Sequence, residues 1–294
     1  MMKHVLLAAL GFVAFAGPAA AAPIDVVASF SILGDMVKTV GGDRVAVTTI
    51  VGPNADTHVY EPTPADAQAV GKAKVFFVSG LGFEGWMDRL VQSTGYKGAL
   101  VTASDGVQSR TMDEDGETIT DPHAWQDLSN GLIYVDNIEK GLCAADAEGC
   151  DTYKANAETY KAEISALDAE VKSAIAAVPA EQRKVITTHD AFGYFGAAYG
   201  VKFLAPEGIS TESEASASDV ASLIDQIRQQ HVTALFIENM SDPRLIQQIA
   251  DETGVEVGGA LYADALSAPG EGADTYLGMF RHNIALLVPA MAGK

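Results

Sequence analysis

The sequence predicts an α/β protein of two lobes, each a parallel sheet flanked by helices, joined by one long linking helix. Three observations carry this. Short β-branched apolar runs alternate with helix-spaced stretches on both sides of the chain's middle, and turn residues punctuate them. Between the two halves, residues 151–178 contain no glycine or proline and repeat an apolar position every three to four residues. What remains after a leader-like start suffices for two domains of ordinary size.

The elements follow in order. Residues 1–22 begin with Lys3, continue as an apolar stretch from Val5 to Ala16, and end in small residues, the form of a signal peptide cleaved near Ala22. That stretch is too short to span a bilayer comfortably, and nothing later approaches 18 consecutive apolar residues, so the mature chain is expected to be soluble, exported to the periplasm and not membrane-spanning. No cysteine lies near the cleavage point to carry a lipid. The first lobe, 23–150, has strand-like runs at 25–30, 44–51, 75–78 and 99–102. A helix over 32–40 stops at Gly41-Gly42, and Thr63-Pro64-Ala65-Asp66 opens the next with a cap and a first-turn proline. Residues 104–120 are polar, acidic and glycine-bearing, which predicts a mobile surface loop.

The linking helix, 151–178, places Tyr153, Ala157, Tyr160, Ile164, Leu167, Val171 and Ile175 on one face. It should extend about 40 Å at 1.5 Å per residue. After Pro179 the alternation restarts in a second lobe, 179–294. Strands are expected at 184–188, 201–204, 233–237 and 255–258, and helices at 191–199, 216–230, 242–253 and 274–288. No sequence repeat between the lobes is visible by eye.

Charge narrows the partners. A formal net charge of −20 argues against nucleic acid and anionic lipid surfaces and suits a cationic ligand without selecting one. The two cysteines, Cys143 and Cys150, flank AADAEG, and in an oxidising compartment they most simply form a disulfide, with metal ligation as the alternative.

Four residues stand out as metal ligands: His58, His123, His189 and Asp264, spaced 65, 66 and 75 positions apart in loop-like segments beside apolar runs. Three imidazoles and one carboxylate form a borderline-soft set that suits tetrahedral Zn2+, whereas an oxygen-rich set would suit calcium, magnesium or manganese. Such long spacing cannot by itself establish convergence in space. Taken singly, His58 reads as an exposed loop histidine as readily as a ligand, His123 as a satisfied turn, and Asp264 as a helix cap. His123 lies between Asp121 and Asp127, carboxylates able to hold its second ring nitrogen. His4 leaves with the leader, His231 follows Gln229-Gln230 at a helix end where a cationic imidazole suits the dipole, and His282 lies in the terminal helix; none of these is expected to bind the principal metal. Glu207, Glu212 and Glu214 read as a solvated acidic loop, and Glu238 as a brace for a loop.

Together the segments GPNADTHVYEPTPAD, DPHAW, TTHDAFGYF and LYADALS, with TYLGMFRHN near the end, closely resemble the substrate-binding proteins of zinc and manganese ABC transporters, across essentially the whole mature chain. The resemblance implies two metal-binding lobes, with the four ligands falling on His58, His123, His189 and Asp264. It also implies capture of Zn2+ as the transported ligand, delivery to an inner-membrane ABC permease, and a linking helix that restrains lobe motion. Members devoted to manganese typically carry Glu where this chain has His189, which points to the zinc branch. Many zinc members carry a histidine-rich loop where this chain has 104–120, and that segment contains no histidine. A monomer is expected, with room for a periplasmic metal-delivery protein as a second partner. Two other readings stand beside this one: a manganese-binding member of the same family, and a secreted zinc hydrolase using Glu61 or Asp190 as general base. A site filled by four protein ligands favours binding over catalysis.

Overall fold

A computed structural model describes residues 22–293, apart from 115, 116, 214, 231 and 233. The signal-peptide expectation, and those for His4, Glu214 and His231, therefore lie outside the described residues, Ala22 excepted.

The first sheet is built from β1 (Ile24–Phe30), β2 (Val45–Val51), β3 (Val75–Val78) and β4 (Ala99–Thr102), all parallel, in the order β2-β1-β3-β4. α1 (Ser31–Gly41) and α2 (Pro64–Lys72) connect the first three strands, and α3 (Met87–Thr94) leads to the fourth. α2 starts as the sequence predicts: Thr63 Oγ1 accepts from the Asp66 N–H and Asp66 Oδ2 accepts from the Thr63 N–H at 2.6 Å, a reciprocal cap ahead of Pro64.

The second sheet contains β7 (Lys184–Ile186), β8 (Lys202–Leu204), β9 (Ala234–Glu238) and β10 (Val257–Leu261), also parallel, in the order β10-β9-β7-β8. Each sheet therefore starts at an inner strand, places its second strand to one side and its third and fourth to the other. The lobes share one winding order although no repeat is visible in their sequences. Parallel winding leaves the loops at the carboxyl ends of the strands facing the crevice between the sheets, where α/β proteins hold ligands.

α5 (Cys150–Ala176) runs for 27 residues between the two sheets in sequence. Its seven expected apolar positions, Tyr153, Ala157, Tyr160, Ile164, Leu167, Val171 and Ile175, are all buried. They pack on α1 and α4 (Leu128–Ala145) from the first lobe and on α6 (Gly193–Tyr199) and α9 (Tyr276–Met291) from the second. Each fully buried aliphatic side chain on this seam contributes about 1.5–3 kcal/mol relative to exposure. One continuous apolar cluster runs from β1 through α5 to α9, and a smaller one, including Ile186, Leu223, Leu235, Ile246 and Ile249, sits beneath α7 (Ala217–Gln230) and α8 (Arg244–Thr253). Cys143 and Cys150 are joined by a disulfide that ties the end of α4 to the start of α5.

One expectation is corrected. Residues 104–120 are not simply a loop: β5 (Arg110–Glu114) and β6 (Glu117–Asp121) pair antiparallel from Arg110↔Asp121 outward. Thr111, Thr118, Ile119 and Thr120 are strand-prone residues on either side of the segment's acidic middle. Averaging composition across the segment conceals that signal. Sequence boundaries also shift by a few residues elsewhere: Arg44 lies in a 3-10 turn ahead of β2, and β10 extends to Leu261 past the expected end at 258.

Candidate metal centre

His58 sits in the loop after β2. Its backbone N–H donates to Asp56 Oδ1 at 2.9 Å, forming a tight turn, while Asp56 Oδ2 accepts from Thr211 Oγ1 of the second lobe at 2.6 Å. Trp86 Nε1 donates to the Thr57 carbonyl at 2.9 Å and fixes the same turn from below.

His123 repeats the arrangement at the foot of the hairpin. Asp121 Oδ1 accepts from the His123 N–H at 3.0 Å and lies 2.9 Å from Nδ1. An ionised carboxylate at that distance requires a proton on Nδ1, leaving the Nε2 lone pair for a metal. Trp125 Nε1 and Gln126 Nε2 both donate to the Ala263 carbonyl, at 2.9 and 2.7 Å, which locks the His123 segment to the residue preceding Asp264.

His189 follows β7, and Glu238 at the end of β9 stands behind it. Glu238 Oε1 accepts from the Thr188 and His189 N–H groups at 2.8 and 3.0 Å, and Oε2 approaches His189 Nδ1 at 2.6 Å. Glu238 thus braces the loop, as expected. Asp264 follows β10 and caps no helix: α9 begins at Tyr276, with Thr275 as its N-cap.

The four side chains converge, with one candidate ligand atom from each lying within 4.8 Å of the others. His58 Nε2 is 3.3 Å from His123 Nε2 and 3.3 Å from Asp264 Oδ2. His189 Nε2 lies 3.1 Å from Asp264 Oδ2, and His123 Nε2 3.6 Å from Asp264 Oδ1. A tetrahedral ion with bonds of about 2.0–2.1 Å sets its ligand atoms roughly 3.3 Å apart, so these separations suit one divalent cation. Both Asp264 oxygens and His189 Nε2 are buried without a well-aligned hydrogen bond among the described residues, a cost that a metal ion would remove. His123, His189 and Asp264 are wholly buried, whereas His58 retains 8 % exposure and marks the side open to solvent.

Electrostatics point the same way. Burial alone would lower the pKa of His123, but Asp264 and Asp121 outweigh it and raise it to about 9. Burial likewise opposes the charge on His189, yet Glu238 and Asp264 hold its pKa well above the ordinary imidazole range. Desolvation would raise the Asp264 pKa, and the two imidazoles reverse that and hold it well below the carboxylate range. Without a metal, protons on His123 and His189 balance the buried Asp264 carboxylate, and a divalent cation would take over that role.

The remaining candidates fall outside this group. Glu61 and Glu212 are exposed, and Asp190 and Glu207 are partly exposed; none of them belongs to the cluster. His282, in α9, has its Nε2 3.0 Å from the Ala260 carbonyl of β10. Sequence reasoning did not find Asp56, Thr211 or Gln126. The Asp-x-His spacing shared by 56–58 and 121–123 was a visible signal for Asp56, but Thr211 and Gln126 carry none.

Comparison with known proteins gives a consistent result. The profile of the family described as zinc-uptake complex component A, periplasmic (ZnuA), matches residues 26–290. The manganese-binding lipoprotein MntA of Halalkalibacterium halodurans is 34% identical over 270 residues, covering 92% of this chain and 89% of that protein. Among solved structures, the periplasmic zinc binding protein TroA from Treponema pallidum is 31% identical with a TM-score of 0.87, covering 92% of this chain and 100% of the other. A Mn-bound periplasmic metal binding protein from Candidatus Liberibacter asiaticus is 32% identical with a TM-score of 0.81, covering 90% and 98%.

Proposed function

Because this chain belongs to the zinc-uptake complex component A family of metal ABC transporter substrate-binding proteins, which are not enzymes, we propose that it captures Zn2+ through His58, His123, His189 and Asp264 and delivers it to an inner-membrane ABC permease. The observation that carries the reading is the convergence of three imidazoles and a carboxylate in a buried cluster. Three nitrogens with one carboxylate suit zinc by ligand softness. The hydrolase reading is dropped, since family membership excludes it.

In this reading the protein works in the periplasm as a monomer, after removal of 1–22, with a metal-delivery protein as an optional donor. Among the described residues no helix is long and apolar enough to cross a membrane. The lobes, 23–150 and 179–294, would shift slightly about the helix at 151–178, because α5 packs against both. Release then follows from small displacements and not from wide opening.

A specific observation favours a second reading, manganese. Both oxygens of Asp264 approach imidazole nitrogens, Oδ2 at 3.1 Å from His189 and Oδ1 at 3.6 Å from His123, so five donor atoms are at hand. Extra oxygen donors suit Mn2+, and the Halalkalibacterium and Candidatus Liberibacter relatives carry manganese in their names. Titration of metal-free protein with Zn2+, followed by competition with Mn2+, decides between them. One tight zinc equivalent that excess manganese does not displace supports the zinc reading, and preferential retention of manganese overturns it.

A further inference from the structure

The hairpin β5–β6 precedes the linking helix in the chain, and its first pair, Arg110↔Asp121, is bridged by a side chain of the second lobe. The Arg110 N–H donates to the Tyr194 hydroxyl at 3.0 Å, and that hydroxyl donates to the Asp121 carbonyl at 3.2 Å. The Arg110 guanidinium lies over the same ring, 5.7 Å from its centroid. Tyr194 is buried in α6, five residues beyond His189.

Asp121 is the residue whose Oδ1 holds His123 through both its backbone N–H and Nδ1. Its other oxygen is seated just as closely: a Cβ at position 193 would stand 2.5 Å from Asp121 Oδ2, so the glycine makes the room. Asp121 is therefore held by Tyr194 through its backbone, abuts Gly193 with Oδ2, and grips His123 with Oδ1. A rigidly held outer partner fixes the plane of the imidazole it supports.

We propose that Tyr194 is a positioning residue for metal retention: by bridging the foot of the hairpin across the lobes, it holds Asp121 against His123 and so sets how slowly the metal leaves. Lobe displacement at α6 then loosens His123 through Asp121. This rests on the metal-site reading above. It deepens that reading by naming what couples lobe position to a ligand.

The test uses the full chain, with zinc dissociation followed by transfer to an excess chelator and Co2+ absorption as a report on ligand geometry. Losing an outer partner of a metal ligand typically costs 10–100-fold, and Tyr194 acts one step further out. Tyr194→Phe should therefore speed dissociation roughly three- to tenfold, leave association unchanged and alter the Co2+ spectrum. Gly193→Ala, which displaces Asp121 while keeping the hydroxyl, should produce the same pair of changes. The control is Tyr199→Phe on the same helix, whose hydroxyl accepts from the Leu128 N–H at 3.4 Å and donates to Asp168 at 3.0 Å without touching Asp121. It should leave rate and spectrum as in the parent. A Tyr194→Phe rate within twofold of the parent, or an equal acceleration in Tyr199→Phe, overturns the proposal while tight zinc binding by the parent keeps the site reading intact. A parent that binds no zinc removes both.

Discussion

His58 and His123 are each preceded, two positions earlier, by an aspartate that accepts their backbone N–H, and His189 rests on Glu238. The imidazoles of His123 and His189 therefore arrive already oriented by a carboxylate on Nδ1, while His58 is fixed through its backbone. His58→Ala, His123→Ala and His189→Ala should each weaken zinc binding by well over tenfold, since removing an outer partner alone costs roughly 10–100-fold. Isothermal titration of the three variants checks this, and unchanged affinity in any two defeats the ligand assignment. Asp121→Asn should weaken binding less than His123→Ala, because a neutral amide still occupies the position but no longer favours the proton on Nδ1.

The same residues set a pH dependence whose sign can be worked out. The folded pKa of His123 stands at about 9, above its ordinary 6.5. Its contribution to the metal-free fold is therefore fully present below about 6.5 and is lost as pH rises through about 9. Metal binding must displace those protons, so affinity should fall as pH drops from about 9 through neutrality into the acid range. Asp264 behaves oppositely: with its pKa depressed, its contribution is present above the ordinary carboxylate value and fades only as pH falls through the lowered one. Melting temperatures with zinc and with chelator, taken from pH 5 to 9, should show a metal-induced gain that widens with pH. A gain that stays flat across that range contradicts imidazole ligation.

At the level of elements, the hairpin and the linking helix have separable roles. Deleting 112–117 removes the distal part of β5–β6 but leaves Arg110 and Asp121, so equilibrium zinc affinity should stay within a few-fold of the parent. A large drop would mean that the tip supplies a ligand or closes the site. The acidic composition of the segment suits it better to affecting arrival rate or recognition by a cationic donor. Ile164 and Leu167 lie on the buried seam of α5, and Ile164→Ala or Leu167→Ala should cost about 2–5 kcal/mol. Chemical denaturation measures it. Because α5 packs against both lobes, the loss should appear in one cooperative transition and not in one lobe alone. The disulfide between Cys143 and Cys150 closes a short loop, so replacing both cysteines by serine should cost only about 2–3 kcal/mol and leave metal affinity unchanged.

For the whole molecule, the candidate centre brings together two sheets that wind alike: His58 follows a strand of the first and His123 the hairpin, while His189 and Asp264 follow strands of the second. A ligand that binds only the assembled site should stabilise the entire fold by mass action. Much of this was legible beforehand. Strand periodicity, the capped start of α2 and the apolar stripe of α5 are all local: each depends on residues within a few turns or a single loop, and local physics is written in order along the chain. The four candidate ligands were picked out by their motif contexts, and their convergence is not local. The hairpin strands were legible too, in Thr111, Thr118, Ile119 and Thr120, but were hidden by averaging over the segment. What only the tertiary structure decided are the contacts between segments remote in sequence: Thr211 on Asp56, Gln126 and Trp125 on the Ala263 carbonyl, Glu238 behind His189, and Tyr194 on the hairpin. A hydroxyl or amide carries no periodicity and no charge pattern that names its partner. Which distant group it meets depends on how two sheets and a helix pack, and that is set by the sum of many weak apolar contacts and by no single residue.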